Sequence, residues 1–351
     1  MSVQILTETY SERKKVATVW YVGGQMRWGA LITTVALTLG TASDLKVLAQ
    51  AKNTPPSDLS EQGVPPVASF RSRVDLVRVS ASVRDSKGRY VRNLRVSDFQ
   101  VFDDGRPITI SDFRDDTTGV SVALLFDVSG SMESRLTQAR ESGTHILSWL
   151  DRIQDESAIF AFDTRLNQVS PFATGQQALP IELDLLTPYG ATGIHDAIAQ
   201  TARRMEGREG RRRAIIVLTD GADTASRMSP SEVSGIASAI DVPVYVVGIV
   251  PGIDNPAADV AVPGTASSPL AGTLANLAEW TGGRAFAVST PRERSLVARQ
   301  ILDELRHQYL IAFESSGKPG WHPLVISARP KDLIVRARSG YFAGQSRPVS
   351  H

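Results

Sequence analysis

The chain has no cysteine in 351 residues, which excludes disulfides, thiolate zinc sites and thiol nucleophiles and leaves the cellular compartment open. It has almost no net charge. Lys plus Arg number 38 against 37 Asp plus Glu, a balance of +1, so no global field draws in a polyanion, and nucleic acid is not an expected partner. Arg211-Arg212-Arg213 is a tight basic run, and because an apolar segment follows it directly it reads as a solvated strand entrance. There is no Gly-x-x-x-x-Gly-Lys phosphate loop and no Gly-x-Ser-x-Gly elbow for a serine nucleophile. The five histidines are scattered, with no paired acid or nucleophile evident. The length leads to an expectation of two domains and a tail, with enough chain for a substantial core.

What the chain does have is concentrated at Ser121 to Met132, Ser-Val-Ala-Leu-Leu-Phe-Asp-Val-Ser-Gly-Ser-Met. The apolar half has the length and continuity of a strand buried on both faces. It breaks into Asp127, Ser129 and Ser131, three oxygen-bearing side chains at alternate positions, with Gly130 free to bend between them. A helix-like segment, Arg135 to Ile153, follows. Open α/β sheets place ligands just outside the carboxyl ends of their strands, where such a loop lies. One carboxylate and two hydroxyls begin an oxygen shell for a hard cation, which wants about six donors. Two later segments offer more. Gly190-Ala191-Thr192-Gly193-Ile194-His195-Asp196 sets a Thr in a glycine-bounded loop ahead of a helix, and Ile215 to Leu218 runs apolar into Thr219-Asp220-Gly221. Taken singly, Asp127 could equally cap the next helix and Asp220 start a turn.

Together these three loops resemble the von Willebrand factor A domain and its metal-ion-dependent adhesion site, over Gly119 to Arg306. The resemblance implies a ligand set of Asp127, Ser129, Ser131, Thr192 and Asp220, some of them acting through water. Asp196, Gly130 and Gly221 support that set from behind, with Asp196 orienting the loops or serving its helix as an early acid. The implied cofactor is Mg²⁺, with Mn²⁺ or Ca²⁺ as alternatives, since geometry and availability decide between them. The implied partner is a protein whose Asp or Glu completes the coordination. Val101-Phe102-Asp103-Asp104-Gly105-Arg106-Pro107 and Arg336-Ala337-Arg338-Ser339-Gly340-Tyr341-Phe342 further resemble the flanks of a bacterial secreted subfamily, the "VWFA-related" proteins of Acidobacteria-type genomes.

The expected organisation has six parts. Residues 1–51 read as a signal peptide or signal anchor: Arg27, then a charge-free Trp28 to Ser43, then Ala49-Gln50-Ala51 as a small-residue cleavage site. The apolar run falls short of the ~20 residues of a spanning helix, translation could begin at Met26, and membrane attachment would come only through this segment left uncleaved. Residues 52–69 are a Pro- and Ser-rich linker. Residues 70–116 read as strands with turn signals, including the Asp104-Gly105 hairpin signal with the run Ile108 to Phe113 after it, too few to close a sandwich alone. Residues 117–306 form the doubly wound, mostly parallel α/β domain flanked by helices. Residues 307–344 supply the missing strands, so that a small antiparallel β-sandwich is built from both flanks around the inserted domain. Residues 345–351 are a tail. Within the domain, helices are expected over Ala178 to Leu186, Ile194 to Glu206, from Ser229, over Leu274 to Trp280 and over Arg292 to Arg306. Ala158 to Phe162, Asn167 to Phe172 and Val242 to Val250 are expected strands, and Pro251 to Ala271 a long loop. His195 reads as a surface or packing histidine, and Asp223-Thr224 as rim or turn. The expected role is a secreted or envelope-attached, metal-dependent protein-binding module, not an enzyme. The alternatives are a metal-dependent hydrolase, or a scaffold whose metal only stabilises the fold.

Overall fold

The computed structural model describes residues 76–115, 119–208, 210–221, 223–239, 241–251, 273–315 and 317–343. The expected signal segment and most of the long loop after Pro251 lie outside them. Among the described residues, fourteen strands and six α-helices follow one another. The elements that position the site are β5 (Val120–Asp127), α1 (Leu136–Trp149), β6 (Glu156–Phe162), β7 (Leu166–Thr174), α3 (Ile194–Arg204), β8 (Arg212–Thr219), α4 (Pro230–Ala239), β9 (Val244–Ile249), α5 (Thr273–Trp280), β10 (Ala285–Val288) and α6 (Pro291–Arg306).

Six strands make the central sheet in the order β10-β9-β8-β5-β6-β7. All neighbours are parallel except the β6–β7 edge. Every residue of β5 is buried, because both faces are covered. Val122, Leu124 and Phe126 face a core closed by α1 and α6. Ala123 and Leu125 face a second core, closed by α3, α4 and α5. Helix α1 lies close because Gly143 has no side chain: a Cβ there would come within 2.4 Å of Phe126 Cζ. From β5 the chain goes out through β6 and β7, then returns past β5 to β8, β9 and β10. The order reverses at β5, which makes the carboxyl ends of β5 and β8 the switch point where such sheets bind ligands.

The two flanks interleave. One antiparallel sheet runs β13-β1-β11-β4 and another β14-β12-β2-β3. The N-terminal flank supplies β1 (Leu76–Arg84), β2 (Phe99–Asp103), β3 (Arg106–Ile108) and β4 (Ile110–Arg114). The C-terminal flank supplies β11 (Gln308–Glu314), β12 (Gly320–Ala328), β13 (Ile334–Arg336) and β14 (Gly340–Ala343). Alternate residues of both sheets meet in one core that includes Val79, Ala81, Val83, Phe99, Val101, Ile311, Phe313, Leu324 and Tyr341, the period-2 pattern of packed sheets. Asp104 and Gly105 turn β2 into β3 with φ of 49° and 75°, the two positive values a type I′ hairpin needs.

Four local expectations need correction. Helix α2 covers only Ile181–Asp184, with Pro180 immediately before it, so the helix expected over Ala178 to Leu186 is a single turn. The run Ile108 to Phe113 is two strands, since Thr109 is where the chain leaves one sheet for the other. Strand β10 was not expected, being four residues long. Arg213 is not a solvated entrance residue but is buried at 8% exposure, and the neighbouring Arg212 donates to the carbonyls of Arg306 and Gln308.

Candidate metal centre

Asp127 ends β5 beside the end of β8, and its carboxylate is fully buried. Oδ1 accepts the Ser129 backbone N–H at 2.9 Å and Oδ2 accepts the Thr219 hydroxyl at 2.6 Å. Burial pushes the Asp127 carboxyl above the ordinary carboxylate range, against the pull of the Ser129 and Thr219 hydrogen bonds, and the nearby Asp220 charge adds to the rise. An acid held this way gains from a positive centre nearby. Ser129 is buried and Ser131 exposed, and their hydroxyl oxygens lie 3.2 Å apart.

The three loops are stitched to one another by backbone. The Gly130 N–H donates to the Gly190 carbonyl and the Tyr189 N–H to the Val128 carbonyl, both at 3.0 Å. The Thr192 carbonyl accepts from the N–H groups of Thr224 and Ala225, and the Thr192 N–H donates to the Thr224 hydroxyl. The Asp196 carboxylate accepts the N–H groups of Arg227 and Met228 at 3.0–3.2 Å. Asp196 thus fastens the loop after β8 to the first turn of α3. Gly221 has a φ of 98°, and its N–H donates to the Thr219 hydroxyl, so the chain turns sharply just after Asp220.

Asp220 decides what the cluster can do. Its side chain is 7% exposed, and Oδ2 accepts from Arg135 Nη1 at 2.7 Å. Oδ1 is buried with no hydrogen-bond partner. A buried carboxylate oxygen left unmet is costly unless a cation or donor reaches it. With Asp127 and the Ser and Thr hydroxyls, it makes an all-oxygen donor set of the kind Mg²⁺, Mn²⁺ or Ca²⁺ takes. The residues present therefore fit such an ion.

Two contacts at this cluster escape a reading of the sequence. Arg135 reaches Asp220 from 85 positions away. His195 is buried, which fits packing rather than the surface, and its Nδ1 faces the carboxylate of Asp223, so it does have a paired acid. Its Nε2 is buried without a partner. Asp223 also receives the N–H groups of Ala225 and Ser226.

Residues 122–222 match the family model described as the von Willebrand factor type A domain. The middle of this chain carries that domain. Solved structures are similar to parts of the chain. One is an aerotolerance-related membrane protein from Bacteroides fragilis, 20% identical over 53% of this chain and 98% of its own, with a TM-score of 0.42. The BatB protein from Bacteroides thetaiotaomicron is 22% identical, over 53% and 98%, with a TM-score of 0.41. A von Willebrand factor type A protein from Catenulispora acidiphila is 13% identical, over 79% and 76%, with a TM-score of 0.42. No curated protein matches.

Proposed function

We propose that the chain is a metal-ion-dependent protein-binding module with its site at the switch point of the central sheet. Von Willebrand factor type A domains commonly mediate protein interactions, and the domain match supports that class. The observation that carries the metal dependence is Asp220 Oδ1, buried and unmet on the loop bound to that of Thr192 and close enough to Asp127 to raise its carboxyl. Asp127, Ser129, Ser131, Thr192 and Asp220 are the residues that would hold Mg²⁺, or Mn²⁺ or Ca²⁺ in its place. The bound ion would supply a positive centre for an Asp or Glu oxygen of a protein partner. The chain's own part is to hold oxygens in place: Thr219 and the Ser129 N–H orient Asp127, Asp196 and Thr224 fix the loops, and the packed sheet ends keep the set rigid.

The setting we propose is secreted or envelope-attached, following the leader-like composition of residues 1–51. No helix among the described residues is long and apolar enough to cross a membrane. The test is calorimetric titration of Mg²⁺ and Mn²⁺ into the full chain, wild type against Asp127→Ala, with and without acetate or a Glu-rich peptide. Binding of one ion that Asp127→Ala abolishes, and carboxylate binding only when that ion is present, is the expected result. Ion binding indifferent to Asp127 would remove the metal from the function.

A further inference from the structure

Arg135 lies at the start of α1, in the loop that follows Ser131, with its side chain 30% exposed. From there Nη1 spans two of the three loops, 2.7 Å from Asp220 Oδ2 and 3.5 Å from the Ser131 carbonyl. A guanidinium has five N–H donors in a planar fork and is matched by a carboxylate engaged through both oxygens. Here only one oxygen of Asp220 is taken and the other stays unmet. The contact is a one-point pairing at the edge of the donor set, not a closed ion pair.

We infer that Arg135 is a recognition residue of the site, exchanging Asp220 for the carboxylate of an acidic partner. The inference rests on the metal-dependent reading above. Asp127 and Asp220 bring two negative charges, which a divalent cation alone balances. A guanidinium held on Asp220 Oδ2 is then surplus: it repels the cation and competes with it for the same carboxylate. When the cation takes Asp220, Arg135 gives that carboxylate up, but α1 keeps its head at the rim. The rim then carries one net positive charge, on a group shaped for a carboxylate. An Asp or Glu side chain of the partner answers both the charge and the fork geometry, where a neutral hydroxyl or amide would answer neither. Arg135 thereby opposes ion binding in the free chain and favours the acidic ligand once the ion is in place.

The two roles predict effects of opposite sign from one substitution. Mn²⁺ affinity of the full chain is measured by calorimetry, and acetate binding to the Mn²⁺-saturated chain by paramagnetic relaxation of the acetate protons. Arg135→Gln is expected to tighten Mn²⁺ binding about tenfold, the scale of one charged hydrogen bond, and to weaken acetate binding several-fold. Arg135→Lys, which keeps the charge but not the fork, is expected to fall between. High salt should leave the Mn²⁺ effect largely in place, because a contact this sheltered is poorly screened. Matching melting curves establish that both variants fold. Mn²⁺ affinity unchanged or weaker in Arg135→Gln overturns the exchange, and acetate affinity unchanged or tighter overturns the recognition role. If neither wild type nor Arg135→Gln binds Mn²⁺, the metal-dependent reading itself falls and this inference with it. Mn²⁺ binding that appears only in Arg135→Gln supports the exchange.

Discussion

Two acid-rich clusters lie in this molecule, and they are built to opposite rules. At the end of β5 and β8, Asp127 and Asp220 sit among hydroxyls, and one buried carboxylate oxygen has no partner. At the β2–β3 corner of the sandwich, Asp103, Asp104 and His322 also bring possible ligand atoms within 4.8 Å of one another. There, however, the protein supplies its own donors. Asp103 accepts from His322 Nδ1 at 3.0 Å and from the Tyr341 hydroxyl at 2.8 Å, while His322 Nε2 meets the Lys318 carbonyl at 2.8 Å. Asp104 adds a second carboxylate 3.3 Å from the same Nδ1. Both ring nitrogens thus face acceptors, which calls for the doubly protonated imidazolium. Composition alone does not separate a cation site from a structural lock. What differs between the two clusters is that one leaves a buried carboxylate oxygen, Asp220 Oδ1, without a hydrogen-bond partner.

The comparison is broken most forcefully at the lock. Asp103→Ala leaves His322 buried with its main counter-charge gone, and breaking a buried pair in this way costs about 3–5 kcal/mol. Chemical denaturation should show that loss while Mn²⁺ affinity stays at the wild-type value. A parallel loss of Mn²⁺ binding would mean that the two clusters are not independent.

Next in size is Asp127→Asn, which should weaken Mn²⁺ binding by roughly two orders of magnitude or more, beyond the 10- to 100-fold of an outer-shell loss. It should do the reverse to stability once metal is stripped. The carboxyl of Asp127 is raised by burial, so its folded-state pKa lies above its unfolded one. Its contribution is fully present below the unfolded value of about 3.9 and is lost as pH rises through the folded pKa. Asn keeps the shape without the charge, so above the carboxylate range the chelated variant should melt higher than chelated wild type. A lower melting temperature would show that the Asp127 charge is already compensated within the chain.

The lock titrates at a higher pH. Burial pulls His322 down, but the Lys318 carbonyl and the two aspartates outweigh it and raise its pKa above the ordinary histidine value. A raised folded-state pKa gives stability present in full below about pH 6.5 and lost as pH climbs through the folded value. Wild type should therefore lose melting temperature on going from mildly acidic to alkaline buffer, and His322→Gln should flatten that slope. A slope that survives the substitution would place the titrating group elsewhere.

How much of this was legible beforehand follows from how local each feature is. The buried strands β5 and β8 announce themselves as apolar runs, and the loop after β5 carries its oxygens at alternate positions. The Asp104-Gly105 turn is equally local, and both residues take the left-handed conformations the dipeptide suggests. The interleaving of the flanks could be argued because the strand pattern of residues 70–116 is too short to close a sandwich alone. What stayed hidden is pairing across the chain. Nothing in Arg135 says that it will reach Asp220 rather than solvent, and His322 finds Asp103 across 219 positions. Strand β10 was hidden differently: Ala285-Phe286-Ala287-Val288 is too short to show a period, and its place comes from pairing with β9.

His195 stands between the two clusters, and it offers the smallest effect. Asp223 meets its Nδ1, as in the lock, while Nε2 is buried and unmet, like Asp220 Oδ1. In a hydrolase such a nitrogen would be the general base, its ring held by the acid behind it. In a binding module the pair only steadies the loop after β8, and Asp223 keeps that task without the ring through the N–H groups of Ala225 and Ser226. His195→Ala should therefore change Mn²⁺ affinity by no more than about twofold, since imidazole nitrogen is a poorer match than oxygen for these hard ions. A much larger loss would draw His195 into the ion's surroundings. Turnover of an ester or phosphodiester substrate that disappears with His195→Ala would move the whole site from adhesion to hydrolysis.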